Sequence, residues 1–433
     1  MPNITVAVII LFGLFFGMML LKVSVSFSLG ISAMVTAFYL KVPILVIAQQ
    51  MVKGVEINAL LAIPFFILVG EIMSQGGISE RLVNFSNVIL GRLRGGLALV
   101  DVLACMFFGG ISGSAIADVS SVGSIMIPMM KKKGYDADYS VSVTVTSATQ
   151  GILVPPSHNM ILYSIVAGGV SIGALFLAGI LPAAVLCLAV MITAYIISVK
   201  RKYPKEEKYT LKEALKITRG AILGLFTPII ILVGVVSGIF TATESGAIAC
   251  VYSMIVTFAI YRKVPVSQLK SIIYRTLKTM AIVMTLIATA NAFGWVLAYL
   301  GVPALMTKAL LSVSSSKVVI LLLINLLLLF LGCIMDMTPL ILIMTPILLP
   351  VATALGLSPV HFGIILLLNL AIGLCTPPVG SALFVGCAIG KMKIGNVMKS
   401  ILPFYVSMFV VLMLVTYIPE VSSFLPKLFM LGK

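Results

Sequence analysis

Two short stretches decide how this chain folds: GILVPPSHN, residues 151–159, and GLCTPPVGS, residues 373–381. Each sets a glycine four residues ahead of a Pro-Pro pair inside an otherwise apolar run. Proline has no amide hydrogen and its ring collides with the preceding turn, so each pair predicts a helix broken in mid-course. Within a bilayer, such a break is tolerated where the freed backbone groups are enclosed by protein or line a cavity. A break made twice with one spacing points to a duplicated device.

The surroundings are those of a membrane protein. Of 433 residues, 61% are hydrophobic and only 10% charged, and the mean hydropathy is +1.21. Soluble domains carry about 25% charged residues. The runs 4–19, 170–199, 222–240, 318–333 and 401–418 approach or exceed the roughly 20 residues that span a hydrocarbon core. Alternating strand-like segments are absent from the sequence, which disfavours a barrel. The first run follows Met1-Pro2-Asn3 without a basic leader or a small-residue cleavage site, and reads as a retained helix. The formal charge of +16 sits between apolar runs, as in cytoplasmic loops, so no nucleic-acid partner is implied. Cys105, Cys187, Cys250, Cys333, Cys375 and Cys387 show no CxxC spacing and read as small core residues.

The Pro-Pro pairs fix an offset of 222 residues, Pro155 to Pro377, and the same offset superposes Phe108 on Phe330, Gly110 on Gly332, Ile125 on Ile347, Pro128 on Pro350, Gly134 on Gly356, Gly151 on Gly373, and Ile172-Gly173 on Ile394-Gly395. Upstream, Gly70 and Gly77 match Gly294 and Gly301 at an offset two residues larger. The chain is therefore an internal repeat. Lys131-Lys132-Lys133 superposes on Thr353-Ala354-Leu355, and Lys391 and Lys393 on Gly169 and Ser171, so equivalent points carry basic residues in only one half. Under the positive-inside rule the two halves lie in opposite orientation. The basic linker 200–219 is then cytoplasmic. Threading outward from it gives spans over about 221–240, 243–261 and 279–300, an amphipathic interfacial stretch over about 264–277, a re-entrant hairpin over about 318–353, and a broken span over about 359–388. The mirror-image hairpin covers about 96–131.

The hairpin tips read FFGGISGSAIADVSSVGS (107–124) and FLGCIMDMTPLILIMTP (330–346). Free carbonyls there suit a cation, and half-helix N-termini suit an anion. Each tip bears a carboxylate, Asp118 or Asp336, either shaping a ligand site or capping the turn. Ser112, Ser114, Thr338 and Thr376 supply oxygens suited to a hard cation, or helix bridges. Glu71, Asp101 and Glu244 fall outside the paired breaks and read as structural. His158 is either a solute contact or a proton carrier on one side only, since its counterpart is Gly380. Trp295 reads as a packing residue.

GRLRGGLA (91–98), FFGGISGSAIADVSSVGSIMIPMMKKKGYD (107–136), GILVPPSHNMILYSIVAGGVSIGALFLAGILPA (151–183), GIFTATESGAIA (238–249), MDMTPLILIMTPILLPV (335–351) and CTPPVGSALFVGCAIG (375–390) together resemble the large membrane subunit of tripartite ATP-independent periplasmic (TRAP) transporters, within the ion transporter superfamily. The likeness covers essentially the whole chain; Ala242 stands where the family often has proline. It implies an all-α integral membrane protein, not an enzyme, with an inverted-topology repeat, two re-entrant hairpins and two discontinuous helices, working as an elevator. It implies residues 1–95 and 221–316 as scaffold, 96–198 and 317–433 as transport-domain halves, and 199–220 as the cytoplasmic linker. It further implies sodium coupling, the bacterial inner membrane, a separate small four-helix subunit and a periplasmic binding protein. By this resemblance one sodium site takes Ser112, Gly113, Gly151 and Val154, the other Gly332, Thr338, Gly373 and Thr376, and the solute meets Ser114, Asp118, Asp336 and Asn159. Such systems handle C4-dicarboxylates, sialic acid, sugar acids and other organic acids; HNMILYSIVAGG is similar to the sialic-acid members. A stand-alone sodium and divalent-anion symporter shares these features. An intramembrane aspartyl protease would need its carboxylates facing each other across a wet cleft rather than on Gly-rich turns, and an ion channel fits two dead-end hairpins poorly.

Overall fold

The computed structural model describes residues 3–206, 209–314 and 316–430; Met1 and Pro2 of the 1–95 range, Glu207 and Lys208 within the linker, Ser315 of the 221–316 range and residues 431–433 at the end of the last range lie outside it. The described residues are helical with no strand, and eight of the helices are long and apolar enough to cross a membrane.

The first half runs α1 (Ile4–Leu20), α2 (Val25–Tyr39), α3 (Ile44–Val55), α4 (Ala62–Gln75), α5 (Ile78–Leu90), α6 (Gly96–Ser112), α7 (Ala115–Asp118), α8 (Ser124–Lys132), α9 (Ala137–Ala148), α10 (His158–Val166) and α11 (Ile172–Lys200). The second runs α12 (Leu211–Ser237), α13 (Ala242–Met254), α14 (Leu269–Tyr299), α15 (Val302–Val313), α16 (Lys317–Ile334), α17 (Met337–Ala354), α18 (Pro359–Leu374), α19 (Ser381–Gly390) and α20 (Ile394–Tyr417), followed by α21 (Glu420–Met430). The repeat is written into these boundaries. α9 and α18 begin 222 residues apart, as do α11 and α20. Gly134 and Gly356 both turn at positive φ, 86° and 78°, in open space, so backbone conformation alone calls for glycine there.

Two bundles result. In one, α14 packs on α2 and α3, α13 on α4, and α5 on α12, so each half lends helices to the other. In the other, α6 packs on α9, α16 on α18, and α20 and α19 both lie against α9. Apolar burial drives neither alone, because lipid is as apolar as the side chains; close approach and internal hydrogen bonds matter more. Asn369 donates to Asn325 at 2.8 Å and Asn325 to Thr416 at 3.0 Å, linking α18, α16 and α20 inside the second bundle.

The stretch 96–131 holds α6 to α8 and the stretch 318–353 holds α16 and α17, helices whose limits lie within a residue or two of those stretches. Three elements differ from expectation. α12 begins at Leu211, ten residues before the expected span, because Thr210 and Glu213 form a reciprocal capping box. The interfacial stretch 264–277 is not separate: residues 269–299 form one helix, with no proline and only Gly294 to interrupt it, whereas the first half breaks between α3 and α4 after Gly54. Helix α21, unforeseen, packs on α11.

Candidate functional site

The first tip forms where Gly113, at φ 61°, ends α6 and Ser114 starts α7, its hydroxyl accepting from the Ala117 amide. The tip is seated on the break between α9 and α10. Gly109 and Gly151 face each other with no room for a methyl group, and a Cβ on Gly110 would lie 3.1 Å from the Val154 side chain. A Cβ on Gly113 would meet the Pro156 carbonyl at 3.3 Å, and Asn159 donates to the Gly113 carbonyl at 3.3 Å. Thus Ser112, Gly113, Gly151, Val154 and Asn159 come together at one place.

Asp118 lies among them. One turn beyond Ser114, it is carried back beneath the tip and is fully buried. Its Oδ1 accepts a short hydrogen bond from Ser112, while Oδ2, directed at Gly109 and Gly151, has no partner. An unpartnered buried carboxylate oxygen is costly in the absence of compensation. Asp118 thus lies among Ser112, Gly109 and Gly151, itself outside the lining of the cavity described below although its partner Ser112 borders that cavity.

The second tip repeats the seating with different side chains. A Cβ on Gly332 would lie 3.2 Å from the Gly373 Cα, and the Val379 amide donates to the Cys333 carbonyl at 2.9 Å, stitching the tip to the break between α18 and α19. Thr376 donates to the Ile372 carbonyl at 2.8 Å. Asp336 is the exposed N-cap residue of α17 and accepts from Ser381 at 3.4 Å. Thr338, two residues further, forms no hydrogen bond with this group. Both Pro-Pro bonds, 155–156 and 377–378, are cis.

Between the first tip and α4 and α14 opens a cavity of about 620 Å³. Its walls include Ser112, Ser114, Ser121, His158, Glu71 and Arg275. Ser74 of α4 and Ser121 share a 2.6 Å hydroxyl hydrogen bond across it. Glu71, read above as structural, stands 3.5 Å from Arg275 in this wall. Arg275 escaped the sequence reading because only the fold brings α14 to the first tip. Asp101 is a satisfied structural carboxylate, accepting from Thr144 and Cys105, and Glu244 completes a capping box with Thr241. Among the described residues there is no cluster of three or more His, Cys, Asp or Glu side chains fit to hold a transition metal.

The family model of the tripartite ATP-independent periplasmic transporter DctM component matches residues 12–421. The chain belongs to that family. It is 45% identical to the uncharacterized protein YgiK of Salmonella typhimurium over 425 residues, 98% of each chain. It is 39% identical to the sialic acid TRAP transporter large permease protein SiaM of Vibrio cholerae, over 88% of this chain and 90% of that one. The crystal structure of the Alcanivorax borkumensis YdaH transporter superposes with a TM-score of 0.60 over 86% of each chain at 15% identity, a shared fold. As a DctM-family TRAP permease, the protein is a multi-pass component of the bacterial inner membrane and a transporter subunit, not an enzyme.

Proposed function

We propose that this TRAP permease drives uptake of a small organic acid by moving sodium inward with it, and that the α6–α11 and α16–α20 bundle slides as an elevator against the other. Sodium is cargo here, bound and released each cycle. The observation that carries the reading is the first tip: Asp118 presents a buried, unpartnered carboxylate oxygen where the Gly109 and Gly151 backbones meet, with the Ser112 hydroxyl on its other oxygen, and these hard oxygens suit a small cation. At the second tip, carbonyls of the break and the Thr376 hydroxyl fit a second one, with Gly332, Gly373 and Thr338 as its surroundings. The neighbouring cavity of about 620 Å³, hydroxyl-lined and touching Ser114 and His158, has the size and polarity for a sialic acid, sugar acid or C4-dicarboxylate.

Opposed hairpins with opposite charge patterns support alternating access. At 100 mV each sodium ion entering releases about 2.3 kcal/mol, so two ions with a monovalent acid carry one net charge inward per cycle. The likeness to SiaM favours sialic acid as the first solute to try. The family supports two partners, a small four-helix membrane subunit beside the scaffold and a periplasmic protein that delivers the acid.

The test is uptake of labelled N-acetylneuraminate into proteoliposomes under an inward sodium gradient, with each partner added or withheld. Uptake requiring all three proteins and sodium is expected. Uptake by this chain alone would replace the proposal by a stand-alone symporter, and uptake indifferent to sodium would remove the coupling.

A further inference from the structure

Resting on that reading of the cavity, we infer that Arg275 receives the acid group of the solute, a carboxylate or sulfonate, and that Glu71 is the partner it leaves to do so. Arg275, Thr279 and Val283 form one stripe of α14 along the cavity, at successive turns. Apart from the His158 ring, the walls hold one basic side chain, Arg275, and one acidic one, Glu71.

Their contact is incomplete. Arg275 approaches Glu71 through Nε at 3.5 Å, and forms no hydrogen bond with any described residue. The two terminal nitrogens of the guanidinium fork are therefore uncommitted, and they match the two oxygens of a carboxylate or sulfonate in one plane. Three basic side chains elsewhere in the chain are by contrast engaged: Arg201 donates to Asp136 and Ser400, Lys263 pairs with Glu80, and Arg81 stacks on Tyr261.

The repeat supplies the contrast. At the 224-residue offset that relates Gly70 to Gly294, Glu71 corresponds to Trp295 and Arg275 to Met51. The repeat-related cavity, about 270 Å³, is bordered by Gln50, Asn291 and Trp295, with Leu342 and Pro346 in the places of Ser120 and Ser124. Backbone architecture is shared by the two cavities and the ion pair is not. A partly exposed ion pair adds little to stability, so its presence in the hydroxyl-lined cavity alone is explained by a charged visitor there. Glu71 keeps the fork oriented between visits and competes with the acid, which sets how readily the acid leaves.

Binding and transport are read separately. The purified chain with its membrane partner is treated with phenylglyoxal in sodium buffer, and each arginine's modification is followed by mass spectrometry with N-acetylneuraminate, succinate, isethionate or uncharged mannitol present. One of the acids protects Arg275, mannitol does not, and Arg92 and Arg219 are unaffected. In uptake of that acid, Arg275→Gln raises KM by about tenfold or more with kcat and sodium half-saturation unchanged, Arg275→Lys restores part of the affinity, and Glu71→Gln lowers KM. Protection of Arg275 by none of the acids, or uptake by Arg275→Gln with the wild-type KM, overturns the inference. Protection without sodium-driven uptake of the same acid would instead overturn the transport reading and leave the site standing.

Discussion

Gly373→Ala tests whether a seated second tip is what sodium requires. A Cβ at Gly373 would stand 2.6 Å from the Gly332 carbonyl carbon and 2.7 Å from its Cα and oxygen, against 3.4–4 Å for ordinary contact. The atoms met are backbone, so no rotamer can yield, and the tip must retreat by about 1 Å, an overpacking that costs about 1–3 kcal/mol. That retreat also pulls on the 2.9 Å bond from Val379 to Cys333. A penalty of that size, charged only to the seated state, is about 5- to 150-fold in its population. The sodium concentration for half-maximal uptake should rise within that range, with much of the rate recovered at saturating sodium. Gly395→Ala is the control, since nothing lies within 4 Å of its site near the start of α20 and its φ is not positive. A wild-type sodium response in Gly373→Ala, or an equal loss in Gly395→Ala, would refute the reasoning.

Asp118→Asn keeps the shape of the first tip and removes its charge, and should raise the sodium half-saturation by about tenfold or more; direct sodium binding to the purified complex checks it, and unchanged affinity would exclude Asp118 from the site. On the loop before α9, the Tyr203 hydroxyl at 2.7 Å and the Arg201 guanidinium at 2.8 Å hold the Asp136 carboxyl below its ordinary range. Because the folded value is depressed, that stabilisation is complete above the unfolded value of about 3.9 and is lost as pH falls through the folded value. Tm followed from pH 7 downward should therefore show an acid decline that Asp136→Asn makes shallower, and an identical profile would exclude the contribution. Thr210→Ala opens the capping box of α12 and should cost about 0.5–2 kcal/mol in thermal unfolding without altering sodium half-saturation.

The parts of this fold legible in the sequence are those fixed by residues acting on their own backbone. Pro155-Pro156 and Pro377-Pro378 break their helices wherever the chain carries them, and the Gly-rich tips mark turns that no neighbour has to impose. The 222-residue offset then related the helix starts of the two halves, because proline and glycine constrain shape locally. What escaped depended on contacts or on polar signals inside charged sequence. The Thr210–Glu213 box lies in a basic linker where apolar runs are silent, and α21 carries its apolar side chains in a short, Pro-containing stretch. Arg275 meets Glu71 because α14 crosses against the first half's helices, a tertiary event. Asp118 was placed at the tip by position; only the helical turn after Ser114 shows that its carboxylate points back beneath it.

The repeat also explains why the two tips are unlike where it matters. Superposition at 222 residues sets Ser114 on Asp336, and both are N-caps of the returning arm of their hairpin, one polar cap exchanged for another. Asp118 falls on Leu340, and Thr376 on Val154. Shape is carried by the residues the halves share, chemistry by those they do not. The first tip therefore encloses a full negative charge with one oxygen unmatched, whereas the charge at the second lies exposed. On the proposed elevator, moving the first tip without a cation means carrying an uncompensated buried carboxylate, which on insertion scales costs about 2.5–3.5 kcal/mol. On the proposed sodium coupling, a cation at Asp118 would offset that cost. On that same proposal the second tip, poor in enclosed charge, would be the weaker of the two cation positions.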